Sequence, residues 1–206
     1  VMIITYHGAG MVKLQVGETI VAVNPIGKDS GTKVSRFGAD LALVSIPDPR
    51  YNGVENLSYG EREPFVISGP GEYEVSGTFV RSVSSTGPNG LINTIYTLTL
   101  DNLNVCHLGA LASADLSEAA IESIGVVDIL FVPIGGNGTV EPKLAEKVSN
   151  MIAPKMIIPV EWESEAELKN FLKEAGESNP ERADKLTLKR KDLEGKESAV
   201  MVINQS

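Results

Sequence analysis

A change of rhythm near residue 107 limits most what this chain can fold into. Before it, apolar residues come in short runs broken by Gly, Pro or Asn, the pattern of strands and tight turns. After it, apolar residues at helical spacing alternate with short continuous apolar runs, the pattern of helices laid against buried strands. In the first half, strands are expected at Met2–Tyr6, Met11–Val16, Thr19–Val23, Ala39–Ser45, Pro64–Ile67, Glu72–Val75, Thr78–Val83, Asn93–Leu100 and Leu103–His107. Gly17-Glu18 and Asp101-Asn102 have the length and chemistry of hairpin turns. The second half predicts helices over Leu116–Ile124, after Thr139, and after Ser164, where Glu167 completes a capping box. Thr139 is the expected cap of the middle helix, with Pro142 in its first turn and Leu144, Val148 and Met151 on one side. Asp128–Pro133, Lys155–Val160, Lys185–Leu188 and Ser198–Ile203 read as strands.

No linker or tandem repeat interrupts the 206 residues, so residues 1–206 are expected to form a single domain. The only cysteine, Cys106, leaves no intrachain disulfide and fits a reducing compartment. The apolar stretch Val1–Tyr6 is too short for a signal peptide or a membrane span, which predicts a cytoplasmic protein. Eighteen basic against twenty-seven acidic side chains give a net charge of −9, which argues against nucleic acid and anionic membranes as partners. The basic run Lys185–Lys191 reads as a solvated strand edge that discourages pairing with other chains.

Several phrases, taken in order, resemble the metallo-β-lactamase fold family, in particular its small prokaryotic metal-dependent hydrolase-like branch. They are Ile3-Ile4-Thr5-Tyr6-His7-Gly8, Gly69-Pro70-Gly71-Glu72-Tyr73-Glu74-Val75, Asn93-Thr94-Ile95-Tyr96, Cys106-His107-Leu108-Gly109, Val132-Pro133-Ile134-Gly135-Gly136 and Ile157-Ile158-Pro159-Val160. The resemblance implies an α+β fold, an αβ/βα four-layer sandwich in which two mixed β-sheets are flanked by helices.

Hydrolases of that family hold one or two metal ions, with a first ligand set written H-x-H-x-D-H after a buried strand. In this chain the matching run is Ile46-Pro47-Asp48-Pro49-Arg50-Tyr51, so the histidines and aspartate of the pattern stand as Ile46, Asp48, Arg50 and Tyr51. The remaining family ligand positions match Gly87, Ala110 and Glu161. Only two histidines exist, His7 and His107, both in phrases whose histidine is not usually a ligand in the family. A fixed positive charge at Arg50 would repel a cation by about 4 kcal/mol per unit charge at ~4 Å and an effective dielectric of ~20. These departures lead to the expectation of no metal ligands and no cofactor, zinc included.

On that basis the chain is expected to be a non-catalytic relative of hydrolases, binding a ligand, a protein or a copy of itself through the remnant cleft at Ile46, Asp48, Arg50, Tyr51, Gly87, Ala110 and Glu161. The alternative is a hydrolase of altered design, using Asp48 and Glu161 with a hard cation or with none. A third is a purely architectural subunit. An Arg50–Glu161 pair would link the two halves where a metal otherwise does. Cys106 and His107 are strand neighbours whose side chains diverge, which argues against a nucleophilic dyad. His7 is expected to order its Gly-rich loop, Ser84–Thr86 and Gly69-Pro70-Gly71 to be loop and turn, and Gly135–Thr139 a turn more than an anion cradle. Trp162 is placed in the core or at the rim of the cleft.

Overall fold

A computed structural model describes residues 1–206. It contains, in chain order, β1 (Met2–Gly8), β2 (Met11–Val16), β3 (Thr19–Val23), β4 (Leu41–Leu43), β5 (Phe65–Ile67), β6 (Gly71–Val75), β7 (Thr78–Thr86), β8 (Ile92–Leu100) and β9 (Leu103–His107). There follow α1 (Glu118–Ile124), β10 (Ile129–Pro133), α2 (Pro142–Ile152), β11 (Met156–Val160), α3 (Glu165–Glu174), β12 (Glu181–Ala183), β13 (Leu186–Leu188) and β14 (Ala199–Ile203).

The strands form two mixed sheets, ordered β13-β1-β2-β3-β4-β5 and β12-β14-β11-β10-β9-β8-β7-β6. Period-two alternation decides which side chains fill the space between them. On β2, β3 and β4, Val12, Leu14, Val21, Val23, Leu41 and Leu43 join the main core, while Met11, Ala22 and Ala42 face the other way into a smaller cluster. Ile26, Ala39 and Leu57, from the long segment between β3 and β5, complete that smaller cluster. On the eight-stranded sheet, α1 packs on β7, α2 on β10, and α3 on α2. The parallel strands β10 and β11 are buried along their whole length, as their continuous apolar runs require.

Hydrogen bonds join the sheets at the end where β4, β9 and β11 finish. Thr94 donates its backbone N–H to Ser45 O at 2.9 Å, and the Tyr96 hydroxyl donates to Val44 O at 2.7 Å. His107 accepts the Gly109 N–H at Nδ1, so its Nε2 carries the proton and donates to Gly10 O at 2.9 Å. His107 is thus a structural bridge, as its strand position implied.

Several local expectations change. β7 continues through Ser84, Ser85 and Thr86 because β8 pairs with it as far as Ile92. α1 begins at Glu118 rather than Leu116, and Ser117 caps it by accepting the Ala120 N–H through its side chain. Glu141 occupies the N-cap of α2 without a side-chain bond, while the Thr139 hydroxyl donates to Gly136 O inside the preceding turn. Met151 is exposed, and Ala145, Val148 and Ile152 form the buried face of α2. His7 reaches Ser206 Oγ at 2.9 Å and stacks on Phe37, so it ties down the chain's last residue rather than its own loop. β13 is an edge strand flanked by exposed Lys185, Lys189, Arg190 and Lys191. No helix is long and apolar enough to cross a membrane.

Candidate active site

The buried carboxyl of Glu161 follows directly from its backbone. β11 ends at Val160, and Glu161 takes a left-handed φ of 57°. Its N–H donates to Ala9 O at 2.8 Å and its carbonyl accepts from Gly136 N at 3.0 Å. Held from both sides, the residue directs its side chain inward, where its relative exposure is 0%. Gly136 makes the close approach feasible, since a Cβ there would lie 2.5 Å from Glu161 O.

Two groups meet one oxygen of that carboxyl. The Asn137 amide donates to Oε2 at 3.0 Å, and Arg50 Nη2 lies 4.0 Å from the same atom. Arg50 also pairs with exposed Glu163 at 3.1 Å. Oε1 has no hydrogen-bond partner. Burial raises the Glu161 pKa above the ordinary glutamate value, while Tyr51, Asn137 and Arg50 pull it back. The Tyr51 hydroxyl is buried without a partner in hydrogen-bond geometry, and burial together with the nearby Glu161 charge raises its pKa, so it stays a phenol.

The structure brings all seven positions matched to family ligands to this end of the sandwich. Ile46, Tyr51 and Ala110 form a small apolar cluster packed against Leu91. A Cβ on Gly87 would lie 3.4 Å from Ile46 Cγ2 and 3.3 Å from Asn93 Cβ. Asp48 serves its own loop, accepting the Arg50 N–H at 2.9 Å. Asp48, Arg50, Tyr51 and Asn137 line a cavity of about 220 Å³, which Arg50 and Asn137, the two groups meeting Glu161 Oε2, separate from the buried carboxyl. Trp162 is buried beside it, its ring 6.0 Å from that of Tyr6.

Four contributors escaped the sequence reading. Asn137 sits at φ 56° between two glycines, a backbone state that turns its amide toward Glu161. Asn93 binds Leu108 O and Ser85 Oγ through Nδ2 and accepts Ala110 N–H through Oδ1, tying three strand ends together. Asn24 accepts the Ser45 N–H at 2.9 Å. Glu163 is the nearest ion partner of Arg50. The available signal was a set of asparagines at strand ends, where a residue with poor strand propensity is retained for its hydrogen bonds.

Two joined mixed sheets with a polar cluster at the strand ends define a metallo-β-lactamase-like protein. The chain belongs to the beta-lactamase superfamily: the family model for a beta-lactamase superfamily domain matches residues 3–161. It is 28% identical over 141 residues to the UPF0173 metal-dependent hydrolase of Pyrococcus furiosus, covering 65% of this chain and 60% of that protein. The corresponding protein of Pyrococcus horikoshii, also a UPF0173 metal-dependent hydrolase, is 24% identical over 152 residues, covering 71% of this chain and 62% of the relative. The chain therefore spans about three fifths of the length of these curated relatives. A solved metallo-beta-lactamase superfamily protein of Thermotoga maritima, assigned as a Zn-dependent hydrolase, superposes with a TM-score of 0.79 at 27% identity, covering 98% of both chains.

These similarities correct two expectations. The non-catalytic reading, as a ligand-binding or self-associating domain, is overturned, because the relatives are named hydrolases. The expectation of no cofactor, zinc excluded, is overturned by the same names, which imply a metal. The physical reason lies in what a histidine count omits. Losing imidazoles removes one ligand type but not the site's capacity for chemistry, because the Glu161 carboxylate, the Asn137 amide, the Tyr51 phenol and the Arg50 guanidinium still converge there.

Proposed function

We propose that the chain is a hydrolase, that residues 1–206 act as one domain in the cytoplasm, and that its reaction centre is the Glu161 cluster with Arg50, Tyr51, Asn137 and Asp48 at its mouth. One observation carries the assignment: a fully buried glutamate with one oxygen fixed by Asn137 and the other unpartnered. A carboxyl whose pKa is lifted by burial is a better proton acceptor than an exposed one, and positioned acid–base groups contribute roughly 10²- to 10⁴-fold to rate. Its single buried thiol, Cys106, supports the compartment.

The relatives' metal dependence meets a donor set that does not fit an imidazole-bound pair of transition ions. No three His, Cys, Asp or Glu side chains lie together, and both ring nitrogens of His107 are engaged by backbone groups. Arg50 Nη2 stands 4.0 Å from the buried Glu161 carboxylate. The chemistry assigned to this chain therefore rests on its own side chains. Arg50, already 3.1 Å from Glu163, swings wholly onto that partner and uncovers Glu161 to the cavity. Glu161 takes a proton from water, the hydroxide adds to the electrophilic centre, and the leaving group recovers the proton from Glu161. The Tyr51 phenol, whose hydroxyl has no hydrogen-bond partner, is the group placed to donate a hydrogen bond to the developing oxyanion.

The test is turnover of a panel of chromogenic carboxylic esters, lactams and phosphodiesters. Hydrolysis of at least one class is expected, falling about 100-fold or more in Glu161→Gln with the melting temperature retained. Equal turnover by that variant, or none by the native protein, refutes the assignment.

A further inference from the structure

Beside the 220 Å³ cavity next to Glu161 lies a second, larger opening. This groove has a volume of about 590 Å³ and is lined by the apolar side chains of Val44, Ile46, Val54, Val66 and Ile92. Ile46 lines both openings, so they meet across one side chain. The groove runs along the seam between the sheets, since Val66 belongs to β5 and Ile92 to β8. Both lip residues are left in water, Val66 at 42% and Ile92 at 68% exposure.

Two properties narrow what fits. No charged side chain lines the groove, although the whole chain carries a net charge of −9. The smaller cavity is lined by one acid, Asp48, and one base, Arg50, and the carboxylates of Glu161 and Glu163 already engage that base. An anionic head would meet more negative than positive charge there, so a neutral polar group is the better match. The groove's volume falls within the roughly 300–1,000 Å³ typical of small-molecule sites, which are mostly apolar with few polar groups.

We propose that this groove is the acyl subsite of the enzyme: it takes the apolar chain of a neutral, medium-chain carboxylic ester or amide and sets its carbonyl in the cavity next to Glu161. The proposal rests on the hydrolase reading for the position of the carbonyl, but the binding of the chain does not depend on turnover.

Calorimetric titration of the full chain with octanamide and with acetamide separates the two. Octanamide is expected to bind at least ten-fold tighter than acetamide. Val66→Asp and Ile92→Asp, both at exposed lips, are each expected to weaken octanamide at least ten-fold while melting stays unchanged. In parallel, kcat/KM for p-nitrophenyl esters is expected to rise from acetate to octanoate. Equal binding of the two amides, or octanamide binding indifferent to both substitutions, overturns the groove. Turnover without chain-length dependence also overturns it. Octanamide binding as expected with no ester hydrolysis leaves the subsite standing and removes the hydrolase assignment instead.

Discussion

Arg50 covers a carboxylate that has no exposure of its own, and the pair spans the two halves of the sandwich at 4.0 Å. Spacing within the family pattern made this pairing legible in the sequence. The closer partner, Glu163 at 3.1 Å, was not legible, because its position depends on how the chain leaves β11. Asn137 was hidden for a similar reason: its left-handed φ of 56° aims its amide, and sequence marks only a Gly-rich turn. Removing one partner of a buried ion pair leaves the other charge uncompensated. Arg50→Ala is expected to cost on the order of 2 kcal/mol, a fall of roughly 4–8 °C in melting temperature for a chain this size. Arg50→Ala combined with Glu161→Gln should recover part of that loss, and thermal melts of the three variants check both statements. An unchanged melting temperature in Arg50→Ala would remove the linking role.

The elements most readable in advance were those whose pattern is local. The capping box of α3, with Ser164 accepting from Glu167 N and the Glu167 carboxylate returning to Ser164 N, forms as its residues specify. The hairpins at Gly17 and at Asp101-Asn102 also form, the latter pair at φ 53° and 57°. Elements set by partners were harder. β7 extends over Ser84–Thr86 only because β8 supplies a ladder, and β12 exists because β14 pairs with Glu181–Ala183. Both override weak local propensity. The turn after β10 illustrates the same dependence, since it matters for what it touches. Gly136→Ala would drive a Cβ to 2.5 Å from Glu161 O, whereas Gly69 has nothing within 4 Å of its Cβ position. Gly136→Ala is expected to lose about 1–3 kcal/mol and most hydrolysis by displacing Glu161, while Gly69→Ala leaves stability near the native value. Chemical denaturation and ester turnover read the two effects.

For the whole molecule, the order of phrases along the chain identified the family and the two-sheet fold, while the absence of imidazoles misled the functional reading. The sheets are held together in part by His107, whose burial lowers its pKa to about 4, and His7 is likewise lowered to about 4, first by burial and then by Lys13 and Lys33. A depressed histidine leaves stability intact above its unfolded value of 6.5 and removes it as pH falls from 6.5 toward 4. Glu161 acts in the opposite sense: its raised pKa gives a contribution complete below 4.5 and lost as pH rises toward the folded value. Stability, read as melting temperature, is expected to drop between pH 6.5 and 4, by on the order of 2–3 kcal/mol for the buried His107 and by less for the part-exposed, solvent-screened His7, with a slightly shallower drop in His7→Asn. A flat profile would contradict the histidine assignments. Catalysis belongs to this scale too, because Glu161 is held by Ala9 from one sheet and Gly136 from the other. The most direct measurement is kcat/KM against pH for the native protein and Glu161→Gln on the best ester. The native profile should climb with pH along a limb displaced above the usual glutamate range, and the limb should vanish with the carboxyl. A limb that survives unchanged in Glu161→Gln would contradict a glutamate-centred hydrolase.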